Sequence, residues 1–400
     1  MSLELYNRVI DIIKTKRQRG IEGKVNAIPF GLPRFSDELY GIEQKTTYHV
    51  TANTKVGKTQ ITDYLFLYIP FIYAFLNRDK VRLKVFYFTL EMSKEQKYMQ
   101  FMCFMLFYLS GGKIRIEPKN LRSSNVTKLL PLEAITILES DQYKAYFSFF
   151  EEIVIFVDDI KNPYGIYKFV REYAQTHGVQ HKKMVDFVDE KGEVVSRKEI
   201  DDYYEPNDPE EYVEVIVDHI ALLTPENGMD LRESICKFSS AYTIPMRNKW
   251  HYIPIIVVQQ AAAQEGNENQ KLGKLKPTLD GYGTAKIISQ DADIIIGLFS
   301  PFRFALQSYE GYDITKFRDN IRFMELIAGR EGGGGTVCPL FFDGGVNFFA
   351  ELPLPSDEAG MRYAMTMVNR VNNQGMFLRE QLVMFMHQIG AKVNKLFKKN

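Results

Sequence analysis

The feature that most constrains this chain is a succession of short, unbroken apolar runs separated by helical stretches. The runs are Thr47–Thr51, Lys84–Leu90, Ile153–Val157, Val213–Val217, Ile255–Val258, Ile294–Phe299 and Met324–Ala328. Apart from Thr47–Thr51, they are mostly continuous apolar stretches and not apolar/polar alternations, so they lack a face for water and belong inside a sheet covered on both sides. Such strands alternating with helices are expected to build an α/β fold with a mainly parallel central sheet and helices on both faces.

The residues just after the first run narrow the reading. Residues 52–59 are Ala52, Asn53, Thr54, Lys55, Val56, Gly57, Lys58 and Thr59, between the strand Tyr48–Thr51 and a helical run Gln60–Leu76. Strand, tight loop and helix is the setting of a P-loop. Loop N–H groups and the helix N-terminus together form an anion cradle. Gly57 lets the backbone approach phosphates, Lys58 supplies a point charge to the β- and γ-phosphates, and the Thr59 hydroxyl is a hard oxygen for Mg²⁺.

A P-loop needs acidic partners on neighbouring strands. The run from Val213 ends in Asp218, whose carboxylate is placed to face Mg²⁺ through water. The run Lys84–Leu90 ends in Glu91, a candidate base for the attacking water. The run Ile255–Val258 ends in Gln259 and Gln260, neutral amides able to hydrogen-bond a γ-phosphate. Each such residue is also an ordinary way to close a strand; their order after the P-loop singles them out.

Composition sets the outer limits. The chain has 400 residues, 45% of them apolar and 25% charged, enough for a large core. Lys+Arg and Asp+Glu are 50 each, so a basic binding site must be local. Cys103, Cys236 and Cys338 are far apart, which excludes a disulfide framework and a Cys-rich zinc site and suits a reducing compartment. The longest apolar run, Tyr64–Leu76, contains Pro70 and is too short to span a bilayer. No membrane partner is expected, and the location expected is the cytoplasm; the high Lys, Asn, Tyr and Phe content points to an AT-rich, viral genome, for which it is the host's cytoplasm.

Residues 3–19 read as a helix with an apolar side and a strongly basic end, and glycines and prolines over 20–33 read as a linker. Residues 181–212 hold 11 acidic and 5 basic residues around Asp189-Glu190-Lys191-Gly192. They are expected to form an acidic surface hairpin inserted before Val213, with a plain solvated loop as the alternative. The domain division is then 1–28, a basic helical arm and linker; 29–352, the α/β domain with the 181–212 insertion; and 353–400, a helical tail ending in Lys392, Lys395, Lys398 and Lys399.

These motifs, taken in order, resemble the ATPase domain of DnaB-type hexameric replicative helicases, within the RecA-like class. The likeness covers about residues 28–350. Residues 28–41 (Ile-Pro-Phe-Gly-Leu-Pro-Arg-Phe-Ser-Asp-Glu-Leu-Tyr-Gly) are similar to that family's lead-in, and Ala52 at the first P-loop position is usual there. Residues 88–96 (Phe-Thr-Leu-Glu-Met-Ser-Lys-Glu-Gln) resemble its Ser-Leu-Glu-Met segment, which makes Glu91 the catalytic glutamate. Ile155–Asp159 is similar to the strand before its long helix. Val217-Asp218-His219 matches the Walker B end, Pro254–Gln260 places Gln260 on the sensor glutamine, and Ser289–Asp293 is close to its Glu-Gln-Asp-Ala-Asp.

The resemblance implies a RecA-like fold, ATP and Mg²⁺ as ligands, a homohexameric ring, single-stranded DNA as the track, and a primase or other replication protein as partner. The family's DNA loop corresponds here to Gly283–Lys286, with Lys271, Lys274 and Lys276 just before Lys286. Its trans-acting finger is a Lys-x-Arg; here Arg330 stands alone, followed by Gly332–Gly335. Only about 28 residues precede the ATPase region, so the family's N-terminal domain is expected to be missing, and the 3–19 helix is similar to the arm that packs on a neighbouring subunit. The function expected is an ATP-driven motor that translocates on single-stranded DNA and unwinds duplex in replication. The alternative is a RecA-like nucleotide-binding scaffold without helicase activity, favoured by the thinned basic loop and the acidic insertion. A RadA-type recombinase or a DNA-packaging motor is a third reading. His219 is expected to pack locally, and Asp291 and Asp293 to position a strand rather than bind metal.

Overall fold

The computed structural model describes residues 3–122, 129–188, 194–271, 274–330 and 334–372. Its strands in chain order are β1 (Tyr48–Ala52), β2 (Arg82–Thr89), β3 (Val154–Val157), β4 (Gly178–Val188), β5 (Val194–Pro206), β6 (Glu211–Asp218), β7 (Ile253–Gln259) and β8 (Ile294–Phe299). They are followed by the two-residue β9 (Ser308–Tyr309) and β10 (Tyr312–Asp313), then β11 (Ile321–Gly329), β12 (Val337–Asp343) and β13 (Phe348–Glu351).

A nine-stranded sheet has the order β13-β12-β11-β8-β1-β7-β6-β2-β3. From β8 to β3 every neighbouring pair is parallel. The core is therefore the α/β arrangement with a mainly parallel sheet expected from the apolar runs. Every residue of β1 is buried, because it lies between β7 and β8 with helical layers on both faces.

One run falls outside the parallel part of the sheet. Met324–Ala328 lies in β11, which is antiparallel to β8. It begins an antiparallel edge that continues through β12 and β13. Those last two strands carry no clear signal in the sequence. Pro339 interrupts β12 in a position flanked on both sides, where a proline ordinarily argues against a strand, and β13 is only four residues long.

The stretch after the P-loop is one helical rod: α over Lys58–Asp63, π over Tyr64–Tyr68, α over Ile69–Leu76. It is apolar nearly all round because it is buried between the sheet and two further helices, Lys94–Leu109 and Asp141–Ile153. Aromatic rings fill the space between those elements; Phe101 and Phe150 stack with centroids 3.8 Å apart. Ser93 caps the Lys94 helix through a reciprocal capping box with Gln96, which fixes the turn that carries Glu91.

β4 and β5 form an antiparallel ribbon outside the main sheet. It starts at Gly178 and ends at Pro206, and Glu211 already belongs to β6. Cross-strand ion pairs such as Lys182–Glu199 at 2.9 Å and Lys183–Asp202 at 2.7 Å line it. Its base is tied down by the Tyr204 hydroxyl, which donates to the Ala174 carbonyl at 3.0 Å. The turn residues 189–193 and the lysines of the C-terminal tail lie outside the described residues; the tail's first part is the helix Glu358–Asn372. Among the described residues no helix is long and apolar enough to cross a membrane.

Candidate nucleotide site

The site lies where the parallel strands end. In an open parallel sheet the C-terminal ends of β1, β6, β7 and β2 line one crevice, and each strand delivers its polar residue there. Ala52 closes β1, and its carbonyl accepts from the Gln260 N–H at 3.0 Å. The loop then turns through Lys55 (φ 59°) and Gly57 (φ 104°), the left-handed geometry in which glycine is unstrained. A Cβ on Gly57 would stand 3.2 Å from the Gln60 side chain and 3.5 Å from the Phe342 ring. The helix begins at Lys58, with the Ile61 N–H donating to the Gly57 carbonyl at 2.9 Å.

Lys58 is buried, and desolvation lowers the pKa of its amine, partly opposed by the negative charges of Asp218 and Glu91. The Thr59 hydroxyl donates to Asp218 Oδ1 at 3.2 Å. P-loop and strand-end carboxylate are thus in direct contact across 159 positions of sequence. Glu91 is exposed, with one oxygen 3.9 Å from His219 Nε2. Desolvation and then the Lys58 charge lower the His219 pKa, so this imidazole is neutral and packs locally, as expected of it.

The two glutamines divide the work differently from the expectation. The Gln259 amide donates to Thr54 Oγ1 in the P-loop at 2.9 Å. Gln260 is buried and turned aside: it donates to Thr51 Oγ1 at 2.8 Å and to the Thr278 carbonyl at 3.1 Å. The Gln259 side chain thus touches the P-loop, whereas the side chain of Gln260, the expected γ-phosphate sensor, is held by Thr51 and Thr278.

Several contributors carry no motif. The Arg322 guanidinium is buried under the loop; Nε donates to the Val56 carbonyl at 2.7 Å, and the group lies 4.3 Å over the Phe342 ring. Asp63, Lys97 and Tyr87 form a buried polar cluster beside Asp218. A lone carboxylate inside an otherwise apolar helical run is the one available sign of Asp63.

The remaining expected residues are dispersed. Arg330 pairs with Asp293 at 3.0 Å, and Asp293 immediately precedes β8, at the N-terminal edge of the parallel strands. At about 3.3 Å per residue, the length of β1 alone puts this edge on the order of 13 Å from the P-loop end, so Arg330 does not reach its own chain's site. Asp293 also receives the Thr47 N–H and Arg247 at 2.8 Å each, which is the strand-positioning role expected of it. Lys276 is paired with Glu325 at 2.7 Å, and Lys286 is paired with Asp280. Lys274 is exposed; the Lys271 side chain lies outside the described residues.

A nucleotide with Mg²⁺ fits this donor set. The desolvated Lys58 amine is placed at the loop, and both amide atoms of Asn53 are buried with no hydrogen-bond partner. Among the described residues no group of three or more His, Cys, Asp or Glu side chains could cage a metal. One hydroxyl and one carboxylate suit instead a hydrated Mg²⁺ held largely by phosphates.

No family model matches the chain, and no curated protein matches it in sequence. Solved structures do match in fold. One, described as an ATPase domain, aligns with TM-score 0.58 and 16% identity, over 88% of this chain and all of that one. A second, "The Structure Of A DnaB-Like Replicative Helicase And Its Interactions With Primase", aligns with TM-score 0.57 and 16% identity, over 88% of this chain and 66% of that one. The chain thus has the RecA-like fold seen in the ATPase domains of DnaB-type helicases.

Proposed function

We propose that this chain is an ATP-hydrolysing ring motor that moves on single-stranded DNA and unwinds duplex during replication. The observation that carries the reading is the contact between Thr59 and Asp218 at the head of a P-loop that also carries the desolvated Lys58 amine. The fold shared with helicase ATPase domains supports it.

In this mechanism Lys58 and the loop N–H groups bind and orient the β- and γ-phosphates. Thr59 and Asp218 would hold Mg²⁺, the latter through water; when bound, the ion neutralises charge on the phosphate oxygens. Glu91 takes a proton from the attacking water. Gln259 reads the loop, and Gln260 links β1 to the segment around Thr278. Arg330, stranded at the far edge of its own sheet, completes the site of the next subunit and stabilises transition-state charge there. The helix Glu4–Ile21 supports assembly, because Leu5, Ile12 and Ile13 are 74%, 53% and 57% exposed on it, an apolar face that needs a partner. Lys271, Lys274, Lys276 and Lys286 are the DNA contacts of this reading, and a primase or other replication protein its further partner.

A specific observation favours the second reading, a nucleotide-binding scaffold: Lys276 and Lys286 are already neutralised by Glu325 and Asp280. The test is ATP turnover with and without single-stranded DNA. A motor is stimulated; a scaffold turns over at the same rate in both, and Lys58→Ala abolishes any turnover that belongs to this site.

A further inference from the structure

The buried cluster behind the P-loop has a geometry that a packing role alone does not require. Lys97 is almost fully buried and spans both oxygens of Asp63, at 2.7 and 2.9 Å. It also donates to the Tyr87 hydroxyl oxygen at 2.6 Å. The Tyr87 hydroxyl proton lies within reach of Asp63 Oδ1 at 2.7 Å and Asp218 Oδ2 at 3.1 Å. The single Tyr87 proton is shared between these two carboxylates, so the hydroxyl bridges Asp63 and Asp218. The carboxylate of Asp218 is then pinned at both ends: Oδ1 by Thr59 at 3.2 Å and Oδ2 by Tyr87, with the Lys97 amine at 3.6 Å behind.

Three elements meet here. Asp63 ends the first α segment after the P-loop, Tyr87 sits on β2, and Lys97 is on the helix that follows the Glu91 turn. One set of hydrogen bonds therefore references the phosphate loop, the strand-end carboxylate and the turn bearing the candidate base to each other. Outer partners of this kind fix the direction in which a ligand oxygen presents its lone pairs.

We propose that Tyr87, held by the Asp63–Lys97 pair, is a positioning residue that orients the Asp218 carboxylate toward a metal ion at Thr59. This rests on the reading of the loop as a nucleotide–Mg²⁺ site and adds to it a device built from residues outside every motif.

The test uses the full chain, ADP and Mn²⁺ as a spectroscopic stand-in for Mg²⁺, with bound Mn²⁺ followed by electron paramagnetic resonance. Tyr87→Phe keeps the ring and the Asp63–Lys97 pair and removes only the hydroxyl. It is expected to raise the Mn²⁺ concentration for half-saturation about tenfold. In an Asp218→Asn chain the same substitution is expected to add nothing, because two changes acting through one group are not additive. An unchanged midpoint in Tyr87→Phe overturns the proposal, as does an equal further weakening in the Asp218→Asn background. A parent chain that binds ADP with no dependence on Mn²⁺ overturns the nucleotide–metal reading itself and the positioning role with it. If Tyr87→Phe does not fold, 3-fluorotyrosine at position 87 retains the hydroxyl. Its fluorine resonance is expected to shift with Mg²⁺ and ADP together but not with ADP alone; no such difference also overturns the role.

Discussion

Gln260 and Thr278 exchange two hydrogen bonds: the Gln260 amide nitrogen donates to the Thr278 carbonyl at 3.1 Å, and its oxygen accepts from the Thr278 N–H at 3.3 Å. The same amide donates to Thr51 at the end of β1. The strand that feeds the P-loop is thereby latched to the segment 274–290 on which Lys274, Lys276 and Lys286 lie. A second contact runs alongside it, His49 of β1 stacking on Tyr282 with centroids 5.9 Å apart.

A latch that needs both donor and acceptor is sensitive to its amide. Gln260→Glu loses the donor and sets a carboxylate oxygen against the Thr278 carbonyl. The ratio of ATP turnover with single-stranded DNA to turnover without it is expected to fall to near one in this variant. Couplings of this type are about 5–150-fold, so rates at saturating DNA measure the loss directly. A ratio equal to the parent's would show that DNA and nucleotide communicate by another path.

Asp63 and Lys97 are both sealed from solvent, with side chains 0% and 1% exposed. Breaking such a pair leaves a buried charge uncompensated, so Lys97→Met alone is expected to cost about 3–5 kcal/mol in denaturant unfolding. Asp63→Leu with Lys97→Met removes both charges at similar volume and is expected to be neutral or stabilising. Equal losses in the single and double variants would contradict the pair.

Glu214 lies in the middle of β6 with both carboxyl oxygens buried and no partner for either among the described residues. Desolvation raises its pKa well above the ordinary carboxylate value. Between those two values the native chain keeps a proton that the unfolded chain has released, so stability falls as pH rises through that window. Glu214→Met is expected to raise stability by about 1–3 kcal/mol and to flatten that slope, with a larger gain near about pH 8 than near about pH 5. Thermal unfolding across pH measures both effects.

The contrast between these groups and the motifs shows where sequence carries information. Continuous apolar runs state that a strand is covered on both faces, so the parallel strands and their order of appearance were legible before any coordinates. The P-loop was legible because phosphate binding demands a glycine and a lysine at one strand–helix junction. Asp63, Lys97, Tyr87 and Arg322 were not, because their meaning lies in partners 10 to 266 positions away. The direction of β11 was illegible for a related reason. A buried strand reads the same whether its neighbour runs parallel or antiparallel; what differs is the connection from β8 over residues 300–320, which returns the chain antiparallel to it. Gln259 and Gln260 are adjacent and chemically identical, and only strand geometry decides which one faces the loop.

The placement of Arg330 leads to the strictest test of assembly. It is anchored to Asp293 at the edge of the sheet opposite the P-loop, so a catalytic role requires that it serve another copy of the chain. Arg330→Ala is expected to leave ATP binding nearly intact while lowering turnover by about 10³–10⁵-fold. Lys58→Ala removes the phosphate contact in the same chain and is also expected to be inactive. When the two variants are mixed under conditions where subunits exchange, some interfaces unite an intact P-loop from an Arg330→Ala chain with an intact arginine from a Lys58→Ala chain. Those interfaces are complete, and turnover is expected to reappear. Removing residues 1–20 should prevent the recovery, because the exposed apolar face of the Glu4–Ile21 helix would no longer join neighbours. Fluorescence energy transfer between differently labelled variants establishes that exchange has occurred. A mixture that exchanges and stays inactive, with turnover of the parent unaffected by the deletion, places catalysis within single chains and removes the ring from the account.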